Sequence, residues 1–220
     1  MPLAGKGMLL TSMDIDPDDE TDFNRWYDRE HLIERVAIDG FLEARRYIAH
    51  QGSPKYLCLY STETFEVLDS PAYRKALMVP TDWSKTNLAR FENMIRTIAR
   101  ITISRGQGRG AALGIVRLRP AEGAHDRLRA SLRGQLDPEQ RDGIISIHLI
   151  ESDPALSKPL TDDPPVSDPG AGDWFVLIDA TNVNAVSDAI VALVFESGIK
   201  VSSGSYHLMW DLARSDIRLS

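Results

Sequence analysis

The chain has 220 residues, of which 43% are hydrophobic and 26% are charged, and its net charge is −7 at pH 7. This length suits one large domain or two small ones, each with a buried core, and the composition is typical of a soluble globular protein. The acidic balance argues against a general nucleic-acid partner, which would need a basic face.

The cysteine content and the hydropathy of the chain indicate its cellular compartment. Cys58 is the only cysteine, so no intrachain disulfide can form, which is typical of the reducing cytosol. No apolar run approaches the roughly 20 residues that cross a bilayer, and the N-terminus shows no targeting signal. We therefore predict a cytoplasmic protein with neither a membrane partner nor a nucleic-acid partner.

The first half of the chain predicts the order strand, helix, strand, strand, helix, strand. Carboxylates crowd the start of the first helix, where the helix dipole favours them, and Gly40 ends it. The predicted elements are strands over 7–13, 41–50, 56–61 and 95–104, a helix from within 14–22 to about 37, and helical segments over 64–78 and 81–91.

The second half predicts the same order after a glycine-rich linker over 105–110. The middle strands are separated by residues 152–172, which are rich in Pro, Asp, Ser and Gly and predict a long, mobile loop. The predicted elements are strands over 111–118, 144–151, 173–180 and 200–212, and helices over 124–136 and 183–195.

A β-α-β-β-α-β unit is the ferredoxin-like arrangement, in which the helices cover one face of the sheet. We therefore predict an α+β protein built from two tandem ferredoxin-like units, residues 1–105 and 111–220. The second is a degenerate copy with the long loop. The uncovered sheet faces would be a liability, so the two sheets are expected to pack face to face as an intrachain α+β barrel.

A run in the first half resembles a known group. It comprises Trp26-Tyr27-x-x-Glu30-His31-Leu32, then Gly40-Phe41 and Ala44-Arg45-Arg46-Tyr47. It is similar to the dimeric α+β-barrel superfamily, and within it to bacterial EthD-like proteins. The second half shares only the order of elements. The resemblance implies the fold, and it implies small-molecule chemistry of the kind found in cofactor-free monooxygenases, isomerases and dehydratases, alongside members without assigned activity.

His31 is the candidate catalytic residue. Phe23, Tyr27 and His31 recur every fourth residue, so they share one helix face. An imidazole on that face can act as a general acid or base near neutral pH. The alternative is a buried structural histidine that donates to a backbone carbonyl. The matching face of the second half carries only leucines: Leu128, Leu132 and Leu136.

The candidate substrate-binding residues lie around this face. Arg45 and Arg46 point to opposite sides of their strand, and a guanidinium beside a pocket would bind a carboxylate or enolate oxygen. The alternative for Arg46 is an ion pair with an acid of the helix, Glu30 or Glu34. The strand tyrosines Tyr47 and Tyr60 could line the same pocket, or they could simply pack against cross-strand neighbours. The residues predicted to bind substrate are Phe23, Tyr27, Arg46, Tyr47 and Tyr60.

No metal or cofactor is predicted. The acid cluster over 14–20 fails the EF-hand spacing, because Asp19 replaces the required glycine and Arg25 the required glutamate. His31 and Glu34 form a pair without further ligands. The glycine-rich pattern over 106–111 precedes a strand, whereas a dinucleotide site needs a helix there.

Three functions are consistent with these residues. The first is a cofactor-independent enzyme that acts on a small hydrophobic, oxygenated molecule through His31. The second is a non-catalytic binding or accessory protein of an oxidative degradation pathway. The third is a structural partner of a larger oxidative enzyme, which would dock through acidic charge. Trp26 and Trp83 are expected to be exposed, which favours a homodimer.

Overall fold

The computed structural model of the protein describes residues 3–158 and 170–217. Every predicted strand is present, and the largest difference is at β4, which begins at Glu92 rather than at residue 95. The strands are β1 (Gly7–Asp14), β2 (Phe41–Gln51), β3 (Tyr56–Thr62), β4 (Glu92–Gly106), β5 (Ala112–Pro120), β6 (Ile144–Ser152), β7 (Trp174–Ala180) and β8 (Gly198–Ala213).

The helices follow the predicted order, but the first one is not a single α-helix. A π-helical turn (Tyr27–His31) separates its two α-helical parts. No helix within the described ranges is long and apolar enough to cross a membrane. The helices are α1 (Glu20–Trp26), α2 (Leu32–Val36), α3 (Pro71–Met78), α4 (Asp82–Leu88), α5 (His125–Gln135) and α6 (Val183–Ala192), with 3-10 turns at Phe65–Asp69, Pro138–Gln140 and Arg214–Asp216.

Gly40 follows α2 as predicted and could not be another residue. Its φ is +86°, in the left-handed region that glycine tolerates best, and an added Cβ would lie 2.5 Å from the Val67 side chain. The chain therefore turns sharply here, from α2 directly into β2.

The strands form one closed antiparallel barrel in the order β1-β3-β2-β8-β5-β7-β6-β4. The α+β class is confirmed. The two sheets do not remain separate face-to-face layers, because they join edge to edge through β2–β8 and β4–β6. The first half has the order β4-β1-β3-β2 and the second the equivalent order β8-β5-β7-β6. This repeat is what a tandem duplication would produce; the duplication and the domain division remain predictions.

Alternation along the strands creates three apolar layers, one inside the barrel and one on the outer face of each half. Residues such as Met8, Leu10 and Leu59 point into the barrel. Leu9 and Tyr60 belong instead to the layer between the outer face of the first half's sheet and the helices that cover it. The helix that carries His31 therefore packs on the outside of the barrel, which fixes where a pocket beside it can lie.

A buried ion pair connects the two halves inside the barrel. Arg45 of β2 donates from Nη1 to Asp179 Oδ1 of β7 at 3.2 Å, and both side chains are almost fully buried. Glu43 and His148 lie next to the pair, at 3.8 Å from Arg45 and 3.7 Å from Asp179. The prediction that Arg45 and Arg46 point to opposite sides of β2 is confirmed, since Arg46 faces the helices.

The segment after β6 lies along β4. The Asp153 N–H donates to the Ile98 carbonyl at 2.8 Å, and Ser157 Oγ accepts from the Ile98 N–H at 2.9 Å. The beginning of the predicted mobile loop is therefore fastened to a strand edge. Residues 159–169, the rest of that loop up to Gly170, lie outside the described residues.

The prediction that Trp26 is exposed is wrong. Its ring is completely buried, and its Nε1–H donates to Ser84 Oγ of α4 at 3.1 Å. Trp83 is half-buried and donates to Asp22 at 3.2 Å. The homodimer remains a prediction, now without Trp26 as support.

Candidate functional site

The π-helical turn shapes the region around His31. The Leu32 N–H donates to the Tyr27 carbonyl, five residues earlier, so this turn holds one more residue than an α-helical turn. The extra residue brings Trp26 as well as Tyr27 beside the imidazole. Turns of this kind occur frequently at functional sites, and fourfold spacing alone could not reveal it.

His31 is enclosed by aromatic rings. Its ring centroid lies 4.3 Å from that of Trp26, 4.9 Å from that of Tyr27 and 6.4 Å from that of Tyr60. The residue is only 8% exposed. Within the described part of the chain, Nδ1 has no hydrogen-bond partner. The structural alternative, a donor to a backbone carbonyl, therefore has no acceptor here.

Burial lowers the pKa of His31 well below its usual value, and the positive charges of Arg35 and Arg46 lower it further. Each effect disfavours the imidazolium. His31 is therefore neutral at physiological pH, so it can accept a proton.

A cavity of about 80 Å³ adjoins His31. Two further polar atoms around it, Thr11 Oγ1 and Tyr60 Oη, are buried without a hydrogen-bond partner among the described residues. The Tyr27 hydroxyl lies 4.0 Å from the Met13 sulfur, and the Thr11 and Tyr60 hydroxyls are near enough to influence its pKa. The cavity is lined by Leu9, Thr11, Tyr27, His31, Arg35, Tyr60, Tyr73, Leu77, Pro80, Leu88, Phe91, Met94 and Arg96.

Of the three described phenols that line the cavity, those of Tyr27 and Tyr60 stay protonated. Burial is the main cause that raises the pKa of Tyr27 and of Tyr60, and the nearby Cys58 thiol adds to it. Burial likewise raises the pKa of Cys58 to about 12. Cys58 is thus an unreactive thiol that packs as a small hydrophobic residue, while the phenols remain hydrogen-bond donors.

Arg46 does not line the cavity. It donates from Nη1 to Asp28 Oδ1 at 2.9 Å and from Nη2 to Asn24 Oδ1 at 2.6 Å. Its guanidinium lies 4.3 Å from the centroid of the Tyr27 ring. Arg46 is therefore held behind Tyr27 by Asp28 and Asn24, and it influences the cavity through its positive charge. Its partner is Asp28 rather than the acids expected from the sequence.

The predicted site residues separate into three groups. His31, Tyr27 and Tyr60 line the cavity. Phe23 packs behind Tyr27, with ring centroids 4.9 Å apart, on the same side as Arg46. Tyr47 lies on the opposite face of the sheet, inside the barrel. The expectation that Tyr47 shapes this pocket is therefore wrong, because alternation along β2 turns it away from Arg46.

Four polar residues that line the cavity were not predicted from the sequence: Thr11, Arg35, Tyr73 and Arg96. Arg35 lies four residues after His31, so extending the helix stripe by one step would have found it. Thr11 lies two residues after Leu9 on β1 and therefore on the same face of the strand, so the sequence could also have predicted it. Arg96 and Tyr73 come from distant segments, and only the packing of α3 and β4 brings them to the cavity.

A larger depression of about 360 Å³ lies at the joint between the halves and is open to solvent. Among the described residues, Glu139 is its one titratable lining side chain, and the others are Gly106, Gln107, Pro138, Ile144 and Ile145. This exposed carboxylate has no second titratable group beside it in that described lining, whereas His31 shares its cavity with phenols and guanidinium groups, so we place the candidate site at His31. In the described ranges, no three His, Cys, Asp or Glu side chains are grouped to hold a metal ion.

Comparison with known proteins identifies the fold. No family model matches the chain, and no curated protein sequence matches it. Solved structures match over nearly the whole length. An anthrone oxidase-like protein is 10% identical with a TM-score of 0.63, and covers 98% of this chain and 96% of its own.

Two other solved structures extend this comparison. A protein provisionally named a monooxygenase, from Lactobacillus acidophilus, is 6% identical with a TM-score of 0.59, covering 96% of this chain and 97% of its own. A heme-binding protein from Thermus thermophilus is 8% identical with a TM-score of 0.52, covering 98% and 94%. At these identities the likeness shows a ferredoxin-like α+β fold and nothing finer.

Proposed function

We propose that the His31 cavity is the small-molecule site of an EthD-like, cofactor-independent enzyme whose substrate is hydrophobic and oxygenated. The observation that supports this is that three buried polar atoms around one cavity, His31 Nδ1, Thr11 Oγ1 and Tyr60 Oη, have no hydrogen-bond partner among the described residues. Each buried, unsatisfied polar group costs about 1–3 kcal/mol. A ligand that supplies the missing partners explains why the chain retains them. The names of the monooxygenase and anthrone oxidase-like structural neighbours agree with this class.

The chemistry this arrangement suits is proton transfer. Neutral His31 takes a proton from a C–H next to a substrate carbonyl, and the electron pair moves onto the carbonyl oxygen as an enolate. Tyr60, which stays protonated, donates a hydrogen bond to that oxygen. In the reverse step the imidazolium returns the proton to carbon.

Haem does not fit the described cavity. About 80 Å³ accommodates a few water-sized groups, well below the roughly 300–1,000 Å³ of typical ligand pockets. Tyr27 and Tyr60 occupy the space next to His31 that a macrocycle would need. The role of His31 is therefore derived without a bound haem.

A non-catalytic binding protein is the second candidate, and one observation favours it. A catalytic imidazole is commonly oriented by a hydrogen bond to its second nitrogen, yet His31 Nδ1 has no partner in the described structure. A ligand that binds equally well to the wild type and to His31→Asn, with no hydrogen–deuterium exchange activity in either, would favour this candidate, because a binding pocket needs no proton acceptor.

Hydrogen–deuterium exchange tests the catalytic proposal without knowledge of the substrate. Acetone, a ketone small enough for a cavity of about 80 Å³, is incubated with the protein in D₂O and followed by NMR. We expect the wild type to accelerate exchange next to the carbonyl and His31→Asn to abolish the acceleration. His125→Asn is the control, because His125 is exposed on α5. Equal rates in wild type and His31→Asn would reject His31 as the base.

The location and the assembly remain predictions from the sequence. These are the cytoplasm, a homodimer, and the lack of metal, cofactor, membrane and nucleic-acid partners.

A further inference from the structure

Arg35 is a buried cation with no partner among the described residues. It follows the π-helical turn on α2, lines the cavity and is only 6% exposed. Among the described residues its guanidinium makes no hydrogen bond and no ion pair. Its neighbour Glu34 does feel its charge, but burial and Glu30 still raise the pKa of that carboxyl, so the two are not tightly paired. A buried cation is normally paired, because burying an unpaired charge is costly.

Arg96 brings a second positive charge to the same cavity from β4. It is 8% exposed and donates from Nη1 to the Leu156 carbonyl at 2.7 Å. That backbone contact positions the guanidinium but leaves its charge unneutralised. No Asp or Glu is among the lining residues in the described structure. The cavity therefore holds two cations, a neutral imidazole and phenols, with no acid to balance them.

We propose that the ligand of this cavity is an organic acid whose carboxylate, or equivalent oxyanion, binds to Arg35, with Arg96 as a second source of positive charge. Guanidinium and carboxylate form short, charge-assisted and often bidentate hydrogen bonds, roughly twice as strong as neutral ones. The rest of the molecule contacts the apolar wall, which includes Leu77, Phe91 and Met94. This inference rests on the proposed function of the pocket and adds the charge of the ligand.

Matched acids and amides test the charge requirement. Acetate and butyrate are compared with acetamide and butyramide, which have nearly the same shape but no charge and are small enough for a cavity of about 80 Å³. Binding is followed by calorimetry and by tryptophan emission, since Trp26 adjoins the site. We expect each acid to bind about tenfold or more tightly than its amide, and to raise the thermal unfolding midpoint.

Arg35→Met tests the residue, because methionine keeps much of the apolar stem and removes the charge. We expect this variant to bind acid and amide equally weakly, while its ligand-free unfolding midpoint stays unchanged or rises. An arginine with a purely structural role would give the opposite midpoint change. Arg35→Lys should recover part of the preference for acids. Arg29→Met is the control, since Arg29 is exposed on the π-helical turn.

The outcomes separate this inference from the proposed function. Amides that bind as tightly as acids would overturn the organic-acid class while leaving a small-molecule pocket in place. An Arg35→Met variant that keeps the wild-type preference would overturn the role of Arg35. If no probe bound the wild type and none raised its midpoint, the organic acid and the pocket would both be rejected.

Discussion

Trp26 stacks on His31, with ring centroids 4.3 Å apart and planes tilted by 37°. The two residues are five apart in sequence, and only the π-helical turn between them permits this contact. The contact shields one face of the imidazole from water. It thereby contributes to the burial that keeps His31 neutral, and it makes Trp26 a reporter for events in the pocket.

The lowered pKa of His31 predicts how stability depends on pH. Between the folded and unfolded pKa values the unfolded chain binds more protons than the folded one, so acid favours unfolding. The contribution of His31 to stability is complete above the unfolded pKa of about 6.5 and declines below it by up to about 1.4 kcal/mol per pH unit. His31→Leu should therefore lose less stability than the wild type between about pH 7.5 and 5.

Urea unfolding at several pH values measures this difference. His148 is a second buried histidine whose pKa is lowered by burial, so the decline in the variant is reduced rather than removed. His125→Leu, an exposed change, should keep the wild-type slope. Parallel slopes for wild type and His31→Leu would show that His31 titrates normally.

Replacing His31 with leucine also tests whether the fold needs the imidazole. The second half carries leucines on the corresponding helix face, and Leu128 and Leu132 are completely buried there. Since His31 Nδ1 has no partner to lose, we expect an unfolding free energy at neutral pH that is unchanged or higher. A loss of about 2 kcal/mol or more would mean that the imidazole satisfies a buried group after all. The measurement is chemical denaturation at pH 7.5.

Element order was predictable in this protein because local signals agreed with the fold. Gly40 has the left-handed φ expected of a glycine that ends a helix. The alternation of side chains along β2 and β3 correctly predicted that Tyr60 lies on the sheet face covered by the helix. The π-helical turn was not predictable, since one extra residue in a turn leaves no compositional trace. The edge-to-edge closure of the barrel was also not predicted from the sequence, because the pairing of β2 with β8 joins residues more than 150 positions apart, such as Arg46 and Trp210.

The Arg45–Asp179 pair should behave as a buried ion pair whose partners depend on each other. Asp179→Asn leaves the buried Arg45 with only the more distant carboxylate of Glu43, at 3.8 Å, so we expect a loss of up to about 3–5 kcal/mol in unfolding free energy. The double variant Arg45→Met with Asp179→Leu should lose much less, because neither charge remains. A double-mutant cycle in urea measures the coupling. Additive losses would contradict a direct interaction.

The closed barrel predicts that neither half folds well alone. Cutting the chain at Gly108 would expose the edges of β2 and β4 that pair with β8 and β6. It would also uncover the inward apolar face that includes Met8 and Leu10. Exposed strand edges and apolar patches of this kind promote association. We therefore expect residues 1–108 and 109–220 to aggregate or self-associate when expressed separately, and to form a one-to-one complex when co-expressed.

Size-exclusion chromatography with light scattering distinguishes these states, and the far-UV circular dichroism of the co-expressed complex provides the reference for native secondary structure. The halves should regain that spectrum only together, since the β2–β8 and β4–β6 pairings require strands from both. Two monomeric halves with cooperative unfolding would show that each unit is an independent domain. In that case the contacts between the halves would be a docking interface rather than part of one core.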